Sequence, residues 1–298
     1  MENQTAILCQ IDELPCIRIQ HPKATALVAL QGAQLLEYTP TGDKPIIWLS
    51  PLAEFKRGTS VRGGIPVCWP WFGGPRRNPS AVQQHLPAGT LPAHGWVRDK
   101  PWLLDSVASN EDGVTLRFQF PTNTWPAPFP NGVELSLEMV VGAELQLTLT
   151  TRNNSDQTLH FSQALHSYFA ISDVNQTEIG QLEGVTFIDT LDDWREKAED
   201  TPIQIGQETD RIYVDTPELI VVRDRQWNRE IQVSSSTAKS AVVWNPWIEK
   251  GRGLSQFGEE SYREMVCVET ASVMGNALTL PGGSCCFESI RIGRSELS

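Results

Sequence analysis

Hydrophobic and polar residues alternate with period two over most of the chain. Val114, Leu116, Phe118 and Phe120 alternate with Thr115, Arg117 and Gln119. Val133, Leu135, Leu137 and Met139 keep the same spacing, and Leu145, Leu147 and Leu149 alternate with Gln146, Thr148 and Thr150. Successive side chains of a strand point to opposite faces, so each run predicts a strand buried on one side. Further strands are predicted at Leu219 to Val222, Ile231 to Val233, Ala241 to Trp244, Met265 to Val268 and Phe287 to Ile292. Turn-formers separate the runs: Glu111-Asp112-Gly113, Pro130-Asn131-Gly132, Asn153-Asn154-Ser155 and Pro281-Gly282-Gly283. Only short segments, such as Asp189 to Asp200, read as possible helix. The expected architecture is all-β: a large antiparallel sandwich with little helix, forming one domain over residues 1–298. The pattern does not fix the topology.

The stretch from Ser60 to Arg98 breaks the alternation. It contains Val61-Arg62-Gly63-Gly64-Ile65-Pro66, then Cys68-Trp69-Pro70-Trp71-Phe72-Gly73-Gly74-Pro75, then Pro92-Ala93-His94-Gly95-Trp96-Val97-Arg98. Aromatic faces beside Arg and His suit a sugar, whose C–H face stacks on a ring while polar groups take its hydroxyls. The same composition also fits a proline-rich loop packing its tryptophans on the sandwich, and both readings stay open. On a strand His166 shares a face with Ser162, Ala164 and Tyr168, while Phe161, Leu165 and Phe169 point the other way. That polar, small-residue side suits a cavity-lining acid or base, or a hydrogen-bonded structural histidine. Glu269 closes the apolar run Met265-Val266-Cys267-Val268, where partial burial would tune a carboxylate; the alternative is a solvent-facing strand end, a role that suits Glu264 better. Asp210, in Glu208-Thr209-Asp210-Arg211, is either a turn residue or a hydroxyl acceptor, and the local sequence favours the turn. Trp244-Asn245-Pro246-Trp247 is a strand running into a tight turn or another aromatic rim.

Composition narrows the partners. Hydrophobic residues make up 40% and charged residues 20%, ordinary for a folded globular chain. A net charge of -12 argues against nucleic acid or an anionic membrane as a partner. An anionic small molecule is still compatible, because charges beyond a Debye length of ~8–10 Å are screened and a few arginines in a cleft dominate locally. Met1-Glu2-Asn3-Gln4-Thr5 has neither the basic start nor the apolar run of a secretion signal, and no apolar stretch approaches the ~20 residues of a membrane span. The six cysteines contain no C-x-x-C pair, which predicts reduced, mostly buried thiols in a cytoplasmic protein rather than a disulfide framework or zinc site.

Taken in order, these segments resemble the glucose-6-phosphate 1-epimerase (hexose-6-phosphate mutarotase) family of the aldose 1-epimerase superfamily. The resemblance runs along nearly the whole chain through Val61 to Pro66, Cys68 to Gly73, Leu91 to Gly95, Ala164 to Phe169, Thr209 to Tyr213, Trp244 to Pro246 and Val266 to Thr270. Ala93 departs from the glutamine some relatives carry before His94-Gly95, and Trp247 from the small residue that often follows Asn-Pro. The resemblance implies a β-supersandwich, with His166 and Glu269 as catalytic residues. It implies sugar contacts from Arg62, Arg98 and Asp210, and from His94, which matches a histidine of the wider superfamily.

The implied reaction is interconversion of the α and β anomers of a hexose 6-phosphate. The ring opens, C1 rotates about C1–C2, and the ring closes. A base takes the C1 hydroxyl proton and an acid protonates the ring oxygen. Glu269 is expected as base and His166, protonated, as acid, with no cofactor and no metal. The expected partner is a small sugar phosphate, with the protein acting as a monomer. Three alternatives remain at this stage: a mutarotase of unphosphorylated hexoses, a non-catalytic carbohydrate-binding sandwich, and a glycoside hydrolase using Asp210 as a second carboxylate.

Overall fold

The computed structural model describes residues 5–297; the sequence features of residues 1–4 lie outside them. Strands account for 47% of residues and helices for 8%, as the period-two pattern predicts. Two large antiparallel sheets dominate. The nine-stranded sheet runs in the order Ile203–Gln204, Thr177–Gly180, Leu219–Asp224, Arg229–Ser234, Cys285–Glu296, Leu145–Asn153, Val133–Gly142, Gly113–Gln119, Leu103–Ser109. The eight-stranded sheet runs Arg195–Lys197, Phe187–Asp189, Thr209–Val214, Ser240–Asn245, Met265–Ser272, Gln163–Leu165, Val67–Cys68, and Tyr168–Ala170 also pairs with Met265–Ser272. A four-stranded sheet covers Ala6–Ile11 to Gln34–Pro40, and Leu159–Phe161 pairs with Leu278–Leu280.

Alternation assigns the faces. Leu135, Leu137, Met139, Leu145, Leu147, Leu149, Ile290 and Ile292 of the nine-stranded sheet are buried in one apolar cluster with Phe187, Tyr213, Ala241, Val243, Val266 and Val268 of the other sheet. Ile17, Ile19, Val28 and Leu35 of the four-stranded sheet join the same cluster. The residues between the inward ones, including Ile212, Val242, Cys267, Glu269 and Ala271, therefore point to the opposite face of the eight-stranded sheet. The site lies on that face.

A carboxylate also lies between the sheets. Glu288 is inward on Cys285–Glu296, 1% exposed, and its Oε2 accepts a 2.6 Å hydrogen bond from Ser272 Oγ. Its Oε1 and both amide atoms of Gln163 have no partner of good geometry. Burial pushes its pKa up to about 8, from 4.5. The folded chain then holds a proton on Glu288 that the unfolded chain has released above about pH 4.5, so stability falls as pH rises towards 8. Glu288→Gln keeps the shape without the titration. Thermal unfolding from pH 5 to 9 is expected to show a smaller loss of Tm in the variant than in the wild type; equal losses would remove Glu288 as a contributor.

Three local expectations are corrected. Asp189 to Asp200 forms a hairpin, not a helix: Phe187–Asp189 pairs with Arg195–Lys197 across a turn in which Asp193 (φ 50°) and Trp194 (φ 59°) are both left-handed. The two consecutive positive-φ residues are the central pair of a tight turn closed by the Arg195 N–H donating to the Asp192 carbonyl, and they interrupt a helix. Glu269 does not close its strand, which continues to Ser272 with all eight residues buried. The thiols are half buried rather than mostly so: Cys16, Cys68 and Cys267 are buried, Cys9 and Cys286 intermediate, Cys285 exposed. Among the described residues no helix is long and apolar enough to cross a membrane.

Candidate active site

Strand register sets side chains across the outer face of the eight-stranded sheet in two rows. Ile212 pairs with Val242 and Val242 with Glu269. One step along, Asp210 pairs with Trp244, Trp244 with Cys267, and Cys267 with Tyr168. His166 falls in the gap between Gln163–Leu165 and Tyr168–Ala170, beside Glu269. In that gap the strand leaves its ladder, and the His166 and Tyr168 N–H groups donate to the Pro66 and Gly64 carbonyls. The break ties the histidine to the Val61–Pro66 motif.

Arg62, His94, Arg98, His166, Asp210 and Glu269 all line one cleft of about 450 Å³, a volume typical of small-molecule sites. His166 Nε2 stands 3.4 Å from Glu269 Oε1, with the residues 8% and 2% exposed. His166 Nδ1 and Glu269 Oε2 have no hydrogen-bond partner. Burial holds Glu269 well above the usual carboxylate range, with Asp210 adding to the shift. Burial likewise holds His166 well below its ordinary value, helped by His94, Arg98 and Arg62. Burial thus favours the arrangement in which the pair shares a single proton and neither group is charged.

The neighbours fix the orientation of the pair. Tyr168 stacks flat on His166, with centroids 4.8 Å apart and planes at 5°, and Trp244 lies edge-on to both rings. Arg62 Nη1 donates to the Tyr168 hydroxyl at 3.4 Å, and its Nε donates to the Ser255 carbonyl. His94 Nδ1 accepts from the Gly73 N–H at 3.3 Å and lies 3.4 Å from Cys68 Sγ. That thiol is kept protonated by burial. Nδ1 is therefore an acceptor, which leaves the proton on Nε2. Burial and the two arginines keep His94 neutral. Its loop is held in place at Gly95 (φ 82°), where a Cβ would sit 1.9 Å from the Trp69 carbonyl oxygen.

The open sequence readings resolve by position. Trp69 and Trp71 are fully buried; Trp69 packs on Trp125 and Phe129, and Trp71 on Trp96, so this loop is largely core and only Phe72 of its aromatic run reaches the cleft. Asp210 is not a turn residue: it lies in strand Thr209–Val214, with its carboxyl raised chiefly by burial. Trp244 is a rim residue, whereas Trp247 packs on Tyr262. The sequence reading missed Arg77, Trp194, Thr190 and Lys250, which also line the cleft. Tyr168 was legible as a face-mate of His166; Arg77 and Trp194 carried no spacing signal.

The antiparallel supersandwich is a galactose mutarotase-like fold, shared with a galactose mutarotase-like protein from Clostridium acetobutylicum at a TM-score of 0.72 and 14% identity, covering 99% of this chain and 100% of that one. The sequence pattern described as Aldose 1-epimerase matches residues 15–286, and the chain belongs to that family. An Escherichia coli (strain K12) protein provisionally named glucose-6-phosphate 1-epimerase is 36% identical over 264 residues, 88% of this chain and 84% of that protein. Its Salmonella typhimurium namesake is 34% identical over 91% of this chain and 88% of its own length. A crystal structure from Salmonella typhimurium, provisionally described as a mutarotase, superposes with a TM-score of 0.88 at 29% identity, covering 99% of this chain and 95% of that one.

Proposed function

We propose that this chain interconverts the α and β anomers of a hexose 6-phosphate, glucose 6-phosphate first, by general acid–base catalysis within one β-supersandwich domain. The observation that carries the reading is the side-by-side pair His166–Glu269, 3.4 Å apart, each with an unpartnered polar atom and both lining the cleft. The two oxygens to be served, the C1 hydroxyl and the ring oxygen, share one carbon, so adjacent groups can reach both. Ionised Glu269 takes the hydroxyl proton while protonated His166 gives one to the ring oxygen. The C1–O5 bond breaks and a C1 carbonyl forms. After rotation about C1–C2 the open-chain hydroxyl adds to the other face of the carbonyl. Neutral His166 takes that hydroxyl proton and protonated Glu269 returns one to the new C1 hydroxyl. The pair ends each cycle with the one proton it began with. Burial, which disfavours charge on either group, favours the open-chain stage, in which Glu269 is protonated and His166 neutral.

His94 Nε2–H and Asp210 are the hydroxyl donor and acceptor of the cleft, and Trp244 and Tyr168 are its aromatic wall. Glu269 has a histidine beside it, so an acid–base pair for anomer exchange is at hand, whereas glycoside hydrolysis would leave His166 without a role. Arg62 and Arg98 have no carboxylate within ion-pair distance among the described residues, so their charge is available to an anionic substrate. A charged hydrogen bond to phosphate is worth ~1.5–3 kcal/mol, so Arg62→Ala and Arg98→Ala are each expected to weaken binding of glucose 6-phosphate by roughly 10- to 100-fold. Rates measured in parallel on free glucose decide the role. Loss confined to the phosphorylated sugar supports phosphate binding, equal loss on both means the arginine holds the ring, and no loss in either variant rules out the arginine site. Anomer-resolved exchange NMR with glucose 6-phosphate tests the activity itself.

A further inference from the structure

A third cleft arginine, Arg77, is carried by the segment after Phe72. This segment is a built feature rather than a trailing loop. Buried Asn78 donates from Nδ2 to the Phe72 and Gly74 carbonyls at 2.9 and 3.1 Å, and its Oδ1 accepts from Ser162 Oγ. Ser162 Oγ in turn accepts from the Phe72 N–H at 2.9 Å. The Pro75–Arg77 turn is thus fixed to Ser162, immediately before strand Gln163–Leu165.

Across the cleft mouth Arg77 meets Trp194, with its Cζ 4.7 Å from the ring centroid. Trp194 occupies the second left-handed position of the Asp189–Arg195 turn, where glycine is the usual residue. A bulky side chain in that conformation is strained and persists only where its surroundings hold it. The turn's own acids are neutralised from within the hairpin: Lys197 bonds Asp189 and Asp192 at 2.7 and 2.8 Å, and Arg195 reaches Asp192 and Asp193. Arg77 is left without a carboxylate partner among the described residues. Its guanidinium stands over the indole, and none of its side-chain N–H groups donates to another described residue, so they are available to take a phosphate, bidentately where the fork allows. Arg62 lines the same cleft, beside Tyr168 and Ser255.

We propose that Arg77, laid on Trp194, is a phosphate contact at the cleft mouth and a determinant of selectivity for phosphorylated over free sugar, additional to Arg62 and Arg98. The inference rests on the hexose 6-phosphate reading above. An exposed cation at the mouth also offsets the repulsion that the net charge of -12 imposes on an incoming dianion.

The test is steady-state anomer exchange on glucose 6-phosphate and on glucose with wild type, Arg77→Ala, Arg77→Lys and Trp194→Ala, each checked for folding by circular dichroism. Arg77→Ala is expected to raise KM for glucose 6-phosphate by roughly 10-fold or more with little change in kcat. Its loss on glucose is expected to be at least fivefold smaller. Arg77→Lys should recover part of the loss, because charge remains without the fork, and Trp194→Ala should move the same parameter less. Folded Arg77→Ala with unchanged KM for glucose 6-phosphate, or with equal losses on both sugars, overturns the proposal. A wild type that does not prefer glucose 6-phosphate over glucose would instead overturn the reading beneath it, so the two failures are distinguishable.

Discussion

Glu269→Gln is expected to lower the rate of anomer exchange by about 10²-fold or more while changing substrate affinity far less. The amide keeps the size of the side chain and a hydrogen-bonding oxygen, so the fully buried strand Met265–Ser272 is undisturbed. What disappears is the group proposed to take the C1 hydroxyl proton and return it on closure. Because burial raises Glu269 and depresses His166, the wild-type rate is expected to be flat over a broad pH range. On the acid side it falls when the pair takes a second proton and lacks a base. On the alkaline side it falls when the pair loses its only proton and lacks an acid. Both limits belong to the pair, so Glu269→Gln should abolish the bell shape as well as lower its height. A variant exchanging anomers near the wild-type rate would transfer the base role to another group, with Asp210 the first to examine.

His166→Ala is expected to cost a similar factor, about 10²-fold or more in kcat, by removing the acid for the ring oxygen. The truncation also uncovers one face of Tyr168, whose ring stacks on the imidazole at 4.8 Å, so a purely structural effect has to be separated. Added imidazole makes that separation: a small diffusible acid should restore part of the rate of the variant and none of the rate of Glu269→Gln. Loss of rate without rescue, accompanied by a large rise in KM, would make His166 a positioning residue for the aromatic wall.

The sheets were legible because each depends on local alternation: Leu145, Leu147 and Leu149 had to face one way once Gln146 and Thr148 faced the other. The face of His166 followed from the same rule, since Phe161, Leu165 and Phe169 enter the core and Tyr168 shares the cleft. Glu269 was legible as a buried carboxylate but misplaced at a strand end. The residues after it, Thr270, Ala271 and Ser272, are small or polar yet fully buried, so burial outlasts the apolar run. The Asp192–Arg195 turn was unreadable because Asp193 and Trp194 adopt positive φ without the Asn-Gly or Asp-Gly signature. Arg77 was missed for a related reason. It enters the cleft through Asn78 and Ser162, residues 84 positions apart, and no local pattern reports a contact at that separation.

The central claim is that the cleft exchanges the anomers of a hexose 6-phosphate. The most direct measurement is exchange NMR of the C1 protons of glucose 6-phosphate, galactose 6-phosphate and glucose, side by side, with and without enzyme. We expect exchange well above the uncatalysed rate for the phosphorylated sugars, fastest for glucose 6-phosphate, and much slower exchange for glucose. Exchange at the uncatalysed rate for all three would contradict the account, and equal acceleration of glucose and glucose 6-phosphate would contradict the role given to the phosphate.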